Sequence, residues 1–330
     1  MGINRKTYPE GKMYIYQGWK YLHEPIAGKL NIEPNIEIER PKTFFKYYAI
    51  SKNSVDALTN MYVYASHPAQ LNDPFDCDNS LAKIEDKVNA RVLWEDLYDS
   101  VKEMYPNDND FYKFSTETFT TAVFRKQGII CLAPTNTELI MWSNYAQNNG
   151  FCLEWDVSKF TFDHYGPFPI HYVREVEEAS SLKYDVLTLA LIQTNVKQEC
   201  WKYEKEWRLI VKNPVGFDFE SFGKYANEFN ERPGLHNRKL YYPIEALKSI
   251  TLGIHFFKEI EERQEIVSSN PLEIHVCYSK TCLQTRVLDF LSKITKYIGI
   301  QYMVKEGLSS KIIPIEIVRI NGLTFRIIEK

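Results

Sequence analysis

The chain has 330 residues, room for one large domain or two ordinary ones, and a hydrophobic share of 44% that is ordinary for a globular protein. A formal net charge of −3 supplies no overall attraction to nucleic acid or to an anionic membrane, so nucleic acid is an unlikely partner. No apolar run reaches the roughly 18 residues that a membrane span needs.

In chain order, residues 1–43 read as an aromatic-rich arm, with Tyr8, Tyr14, Tyr16, Trp19 and Tyr21 among polar residues and prolines at 25, 34 and 41. The arm is expected to pack on the body of the protein or to meet a protein partner. Its first residues, Met1-Gly2-Ile3-Asn4-Arg5-Lys6, lack the apolar core of a signal peptide, and Lys6 breaks the myristoylation pattern. Phe44 to Tyr48 predicts a strand, Ser54 to Thr59 a helix, and Met61 to Ala65 a strand. Leu81, Ile84, Val88, Val92, Leu97, Val101 and Met104 form one helical stripe over 81–105. A second helix is expected over 110–126, and together they make a helical insertion at about 80–127. A strand follows at Ile129 to Leu132. Thr135-Asn136-Thr137-Glu138 has the capping-box pattern, which predicts a helix over 136–147 stopped by Asn148-Asn149-Gly150.

Phe151 to Trp155 predicts a strand and 178–199 a helix. Residues 214–238 mix Gly, Phe, Asn and charge and read as a long loop or insertion. Strands are expected at 250–254 and 272–278, and helices at 256–268 and 281–298. Asn321-Gly322 marks a hairpin between Ile315–Ile320 and Leu323–Ile328. The class is α+β, with mixed, mainly antiparallel sheets flanked by helices. Residues 44–330 are expected to form a single domain.

Chemistry concentrates in a few segments. In Trp201-Lys202-Tyr203-Glu204-Lys205-Glu206-Trp207-Arg208-Leu209-Ile210, strand alternation puts Glu204, Glu206 and Arg208 on one face. Neighbouring like charges repel unless something uses them. Either they serve chemistry, or Arg208 pairs with one glutamate at a sheet rim. Leu71-Asn72-Asp73-Pro74-Phe75-Asp76-Cys77 is a turn in which Pro74 disfavours helix at Asp73. It is either a rigid corner or the rim of a pocket that presents Asn72, Asp73 and Asp76. In Met141-Trp142-Ser143-Asn144-Tyr145-Ala146, helical spacing makes Trp142 and Tyr145 either core or a stacking surface for a flat ring. In Phe44-Phe45-Lys46-Tyr47-Tyr48, Lys46 either binds phosphate or snorkels to solvent.

Several other chemistries find no support. The chain lacks GxxxxGK[ST], GxGxxG, HExxH and GxSxG. The histidines at 23, 67, 164, 171, 236, 255 and 275 show no ligand spacing, and no metal is expected. Cysteines at 77, 131, 152, 200, 277 and 282 lack CxxC pairs and suit reduced thiols in a cytoplasm.

The ordered segments Phe45-Lys46-Tyr47, Leu71–Cys77, Ile140–Ala146, Gly150-Phe151-Cys152-Leu153-Glu154, Trp201–Leu209 and Ile250-Thr251-Leu252-Gly253 resemble a bacterial family of unknown function. Its hallmarks are an NDPFD turn, an MWxxYA helix and a WxYExEWR strand, and the likeness runs from about residue 44 to the C-terminus. The chain departs from the pattern at Tyr48, where the family often has arginine. A more remote likeness is to mono-ADP-ribosyltransferases, through the order basic-aromatic strand, helix, strand and a late Glu-x-Glu. This likeness implies an ADP-ribosyltransferase-like core. It also assigns Lys46 or Tyr47 to dinucleotide binding, Ser66 to the pocket, and Glu206 or Glu204 to catalysis.

Two functions compete. One is an NAD-using enzyme, an ADP-ribosyltransferase or NAD hydrolase acting as a toxin or phage-defence effector. NAD would be its substrate rather than a bound cofactor. Glu206 would stabilise an oxocarbenium-like state, with Glu204 positioning the acceptor, Ser66 in the pocket, and Lys46, Tyr47, Asn72, Asp73, Asp76, Trp142, Tyr145 and Arg208 binding the nucleotide. The alternative is a non-catalytic ligand- or protein-binding module, with both glutamates in ion pairs. A third, weaker reading makes Asp73, Asp76, Glu204 and Glu206 metal ligands of a nuclease.

Overall fold

In a computed structural model, which describes residues 11–24, 29–212, 238–257, 264–269, 271–277 and 282–330, side-chain caps set several helix starts. Ser51 starts the helix Lys52–Thr59: its hydroxyl accepts from the Ser54 amide at 3.1 Å, while Ser54 Oγ accepts from the Ser51 amide at 2.9 Å. Asp185 caps Val186–Asn195 in the same manner, accepting from Thr188. The fold is α+β with mainly antiparallel sheets, and no barrel closes among the described residues.

By its internal packing the chain divides into two units, each drawn from three separate stretches. The first comprises residues 1–40, 65–131 and 163–239, and the second 41–64, 132–162 and 240–330. Residues 11–24 and 29–33 therefore belong to the first unit, as an antiparallel sheet of Lys12–Tyr16, Trp19–Glu24 and Lys29–Glu33. Its inner face supplies Tyr16, Trp19, Tyr21 and Ile32 to an apolar core shared with Leu189, Ile192, Trp94 and Phe111. In a second sheet of this unit, Trp207–Lys212 lies between Gln127–Leu132 and His164–Pro169. The short parallel pair His171–Val173 and Val196–Gln198 completes the frame of the site described below.

The second unit holds an eight-stranded sheet. Its order is Gln264–Ser269, Leu272–Cys277, Thr324–Glu329, Ser309–Asn321, Gly299–Glu306, Leu247–Leu252, Phe151–Trp155, Phe44–Tyr48. Neighbours run antiparallel except Leu247–Leu252 beside Gly299–Glu306, which is parallel. The helices Lys52–Thr59 and Leu283–Ile294 pack together, and the latter also lies on Ser309–Asn321. At Gly150 the sheet and the preceding helix crowd so closely that an added Cβ would stand 1.9 Å from the Tyr48 carbonyl oxygen.

Several expected elements differ. The helix expected over 81–105 is cut into Lys87–Trp94 and Tyr98–Met104, because Glu95 adopts φ +48°, and its first residues are a strand, Ala82–Lys83. The expected box at Thr135 does not form: Thr135 Oγ1 accepts from the Thr137 amide, and the helix begins at Leu139. Gln147 and Asn148, both at positive φ, end it. The helix expected at 178–199 is Val186–Asn195, with short strands on either side. Of the helix expected at 256–268, residues 258–263 lie outside the described residues, and Gln264–Ser269 is a strand. Gly299–Glu306 is a strand that apolar periodicity does not announce. Asn321 pairs with Thr324, which moves the hairpin turn one residue on, to Gly322-Leu323, with a register shift after Arg319. The loop expected at 214–238 lies outside the described residues apart from Arg238, and the arm is described from residue 11 except 25–28.

Candidate functional site

The glutamate segment is not one continuous strand. Glu199–Glu204 is a 3-10 turn, Lys205 takes φ +47°, and the strand begins at Trp207. Glu204, Glu206 and Arg208 nonetheless converge, because the left-handed residue reverses the chain between the two glutamates. Arg208 is fully buried. Its Nε donates to Glu206 Oε1 at 2.7 Å, and Nη1 donates to Asp76 Oδ1 and to the Thr194 carbonyl oxygen, both at 2.8 Å. Nη2 donates to Asp76 Oδ2 and, at 3.1 Å, to Glu206 Oε2. Every N–H donor of the guanidinium thus has an acceptor.

Lys197 supplies the second cation. Its Nζ lies 2.7 Å from Glu204 Oε2, 3.2 Å from Glu206 Oε2 and 3.7 Å from Asp76 Oδ2, and stands 4.7 Å over the Trp201 ring. The Tyr172 hydroxyl accepts from the Glu206 amide at 2.8 Å, and the Glu206 carbonyl accepts from Ile170 at 2.9 Å. Asp76 arrives on the turn that Pro74 stiffens, with Asp73 accepting from the Phe75 amide at 3.0 Å.

The network holds Asp76, Glu204 and Glu206 against Lys197 and Arg208, all with side chains at most 5% exposed. Burial pushes Glu206 up, but Arg208 and Lys197 outweigh it and hold the carboxyl at about 2. Burial works against the charged form of Lys197 as well, yet Glu206, Glu204 and Asp76 keep its pKa above the ordinary lysine value. The neighbouring Cys77 thiol is pushed well up by burial and by Asp76, so it stays protonated and a poor nucleophile.

The other expected site residues stand elsewhere. Asn72 is exposed and Asp73 is a buried turn residue. Ser66 pairs through its backbone with Ile129. Lys46, Tyr47, Trp142 and Tyr145 belong to the second unit. There Tyr47 donates to the Thr135 carbonyl at 2.8 Å and meets the Trp142 ring edge-on at 5.2 Å. Trp142 is fully buried, and its Nε1 donates to the Asn136 carbonyl at 2.6 Å. It is a core residue, which corrects the stacking-surface alternative. Lys46 Nζ lies 5.8 Å over the Tyr48 ring, and Tyr145 is half-buried.

Of the two alternatives for the glutamate segment, the geometry is that of an ion pair of Arg208 with Glu206, in a buried network with Lys197 rather than at a sheet rim. Sequence reasoning missed Lys197, Tyr172 and Thr194. The signal for Lys197 was electrostatic: two closely spaced glutamates that end up buried require a second cation besides Arg208. The same two cations sit where the nuclease reading would place a metal. Among the described residues, no group of three or more His, Cys, Asp or Glu side chains is arranged to hold an ion. No helix among them is long and apolar enough to cross a membrane.

The first unit also carries a solvent-open cleft of about 670 Å³ between the helix Asp108–Lys126, the strand Ala82–Lys83 and residues near Glu178. Its lining includes Lys83, Glu85, Tyr112, Lys113, Thr116 and Glu178, none of which belongs to the buried network.

The family model described as "Protein of unknown function (DUF2971)" matches residues 141–209. That stretch contains Met141–Ala146 and Trp201–Leu209, whereas the Leu71–Cys77 turn and Phe44–Tyr48 lie outside it. No curated protein and no solved structure matches the chain. The match supports kinship of this stretch with an uncharacterised domain family.

Proposed function

We propose that this chain is a non-catalytic binding module, and that its Glu-x-Glu-x-Arg segment is an internal clamp. One observation carries the reading: Glu204 and Glu206 are consumed by Lys197 and Arg208 at 2.7–3.2 Å and are 4% and 5% exposed, while a roomy cleft opens elsewhere in the same unit. For ADP-ribosyl transfer or NAD hydrolysis, one of these carboxylates would have to reach a ribose hydroxyl. That requires breaking a charge-assisted network out of a dry interior, which costs several kcal/mol or more by the usual cost of uncovering one member of a buried pair. The NAD reading and the defence role attached to it lose their motivating feature in this geometry. The six cysteines stand as free thiols, which supports a reducing, cytoplasmic setting.

The test is to incubate the full chain with NAD and candidate acceptors beside the variant Glu206→Gln. The expected result is no nicotinamide release from either. Release by the parent chain that disappears in a folded Glu206→Gln variant would overturn the reading.

A further inference from the structure

We propose that the cleft beside the helix Asp108–Lys126 binds a short zwitterionic peptide with an apolar side chain; this rests on the reading of the chain as a binding module. Asn109, Tyr112, Lys113 and Thr116 fall at i, i+3, i+4 and i+7, on one face of that helix, and all line the cleft. Thr116 fixes the helix against the opposite wall, its Oγ1 accepting from the Ile84 amide at 3.1 Å and donating to the Ile84 carbonyl at 3.3 Å. The Asn109 backbone amide donates to Asn107 Oδ1 at 2.8 Å, whereas the Asn109 side-chain carboxamide, the Tyr112 hydroxyl and the Lys113 ammonium meet no polar partner among the described residues. They are the groups that a ligand can use.

The facing wall has the opposite sign. Lys83 bonds Glu85 at 2.5 Å and forms a longer ion pair with Glu178 at 3.7 Å. Glu85 also accepts from the Ser180 hydroxyl at 2.6 Å. Among the described residues, Glu178 is held only by its long, solvent-exposed pair with Lys83, and its side chain is 52% exposed, so the carboxylate is within reach of a ligand ammonium. The lining holds two lysines against three glutamates. A bare anion would meet a net negative wall, and a bare cation would leave Lys113 unused. A molecule with a carboxylate for Lys113 and an ammonium for Glu178 meets both. Leu182, 69% exposed, adds apolar wall. The volume of about 670 Å³ is that of a drug-sized ligand, which a free amino acid underfills and a di- or tripeptide matches.

The experiment is calorimetric titration of the full chain with leucyl-leucine, its N-acetyl form and its C-terminal amide. Leucyl-leucine is expected to bind, and blocking either end to weaken it about ten-fold, the loss of one charge-assisted contact. Lys113→Ala should abolish discrimination against the amide, and Glu178→Gln discrimination against the acetylated amine. Both positions are exposed, so folding is not at stake. No heat from leucyl-leucine at millimolar concentration, equal affinity for all three compounds, or discrimination unchanged in both variants would each overturn the proposal. If the titrations are silent and NAD stays intact, the ligand class falls and the binding-module reading stands. Glu206-dependent nicotinamide release would overturn that reading itself.

Discussion

Arg208 and Asp76 close a two-pronged ion pair across 132 positions of chain, with Nη1 2.8 Å from Oδ1 and Nη2 bonded to Oδ2. The pair ties the Leu71–Cys77 turn to the strand Trp207–Lys212 inside a dry interior. Its partners are worth less as attraction than as mutual neutralisation, since charges this deep are tolerated only when compensated.

Arg208→Met should therefore leave Asp76 and Glu206 short of a cation and destabilise the fold by about 3–5 kcal/mol. Arg208→Lys should recover little, because an ammonium cannot serve both oxygens of Asp76 and both of Glu206 from one plane. Urea denaturation of both variants against the parent checks this. A midpoint shift below about 1 kcal/mol for Arg208→Met, the level of a surface pair, would contradict the clamp.

Glu206 gives the clamp an acid limit. Its carboxyl is held down from the ordinary 4.5 to about 2, with burial opposed and outweighed by Arg208 and Lys197. In that window the unfolded chain binds a proton that the folded chain refuses. Stability is then fully present above about pH 4.5 and declines as pH falls towards 2. Glu206→Gln should lower stability at pH 7 and flatten this part of the profile, read by chemical denaturation at stepped pH. A variant with the parent's slope below pH 4.5 would remove Glu206 from the account.

His171 sets a second, milder window. Its ring stacks on Trp19 at 4.2 Å and 8°, and burial lowers its pKa from 6.5 to about 4. The unfolded histidine is protonated below pH 6.5 while the folded one stays neutral to about 4, so stability falls as pH drops through this range. His171→Phe keeps the ring and removes the proton site. It should remove the His171 share of the decline, which is the part between pH 6.5 and 4.5 where Glu206 does not yet contribute, at the cost of a partner for the Tyr21 hydroxyl, 3.3 Å away. Thermal melts across that range decide it.

Two glycines of the second unit should behave oppositely. In Gly150→Ala the new methyl would stand 1.9 Å from the Tyr48 carbonyl oxygen and 2.8 Å from that of Ala146, both backbone atoms that cannot yield cheaply. Loss of the folded state at 37 °C, or a drop of several kcal/mol, is expected, in line with overpacking at its upper end. In Gly299→Ala the nearest atom is Ser249 Cβ at 3.5 Å, an ordinary contact, and stability should hold or rise by about 0.5–1 kcal/mol. Comparison of the two melting points tests the pair.

Much of the framework was legible where local chemistry is self-sufficient. The α+β class, the strands at 44–48 and 151–155, and a helix near the expected 54–59 were readable from local sequence, although the Ser51 cap starts that helix two residues earlier, at Lys52. The stripe over 81–105 misled, since apolar spacing continues through Glu95 although its φ of +48° breaks the helix. The glutamate segment was legible as three charges on one face with Arg208 paired to one glutamate, but not as part of a buried network. Alternation counts faces, whereas burial was decided by Lys197 and by Asp76, which are distant or unremarkable in sequence. Cleft-lining positions such as Lys113 and Glu178 gave no local sign, because surface charge on a helix or loop ordinarily means only solvation.

The matched stretch 141–209 ends one hydrophobic interior and begins another, for residues 141–162 belong to the second unit and 163–209 to the first. Excised as a fragment, it would carry Arg208 without Asp76 and Trp142 without Tyr47, and so would arrive with half of each partnership. Deletion mapping on this protein should therefore give all-or-none results: removing any one of the six interleaved stretches takes strands or core from its unit, and removing any of the four internal ones also severs the path of the chain through the other.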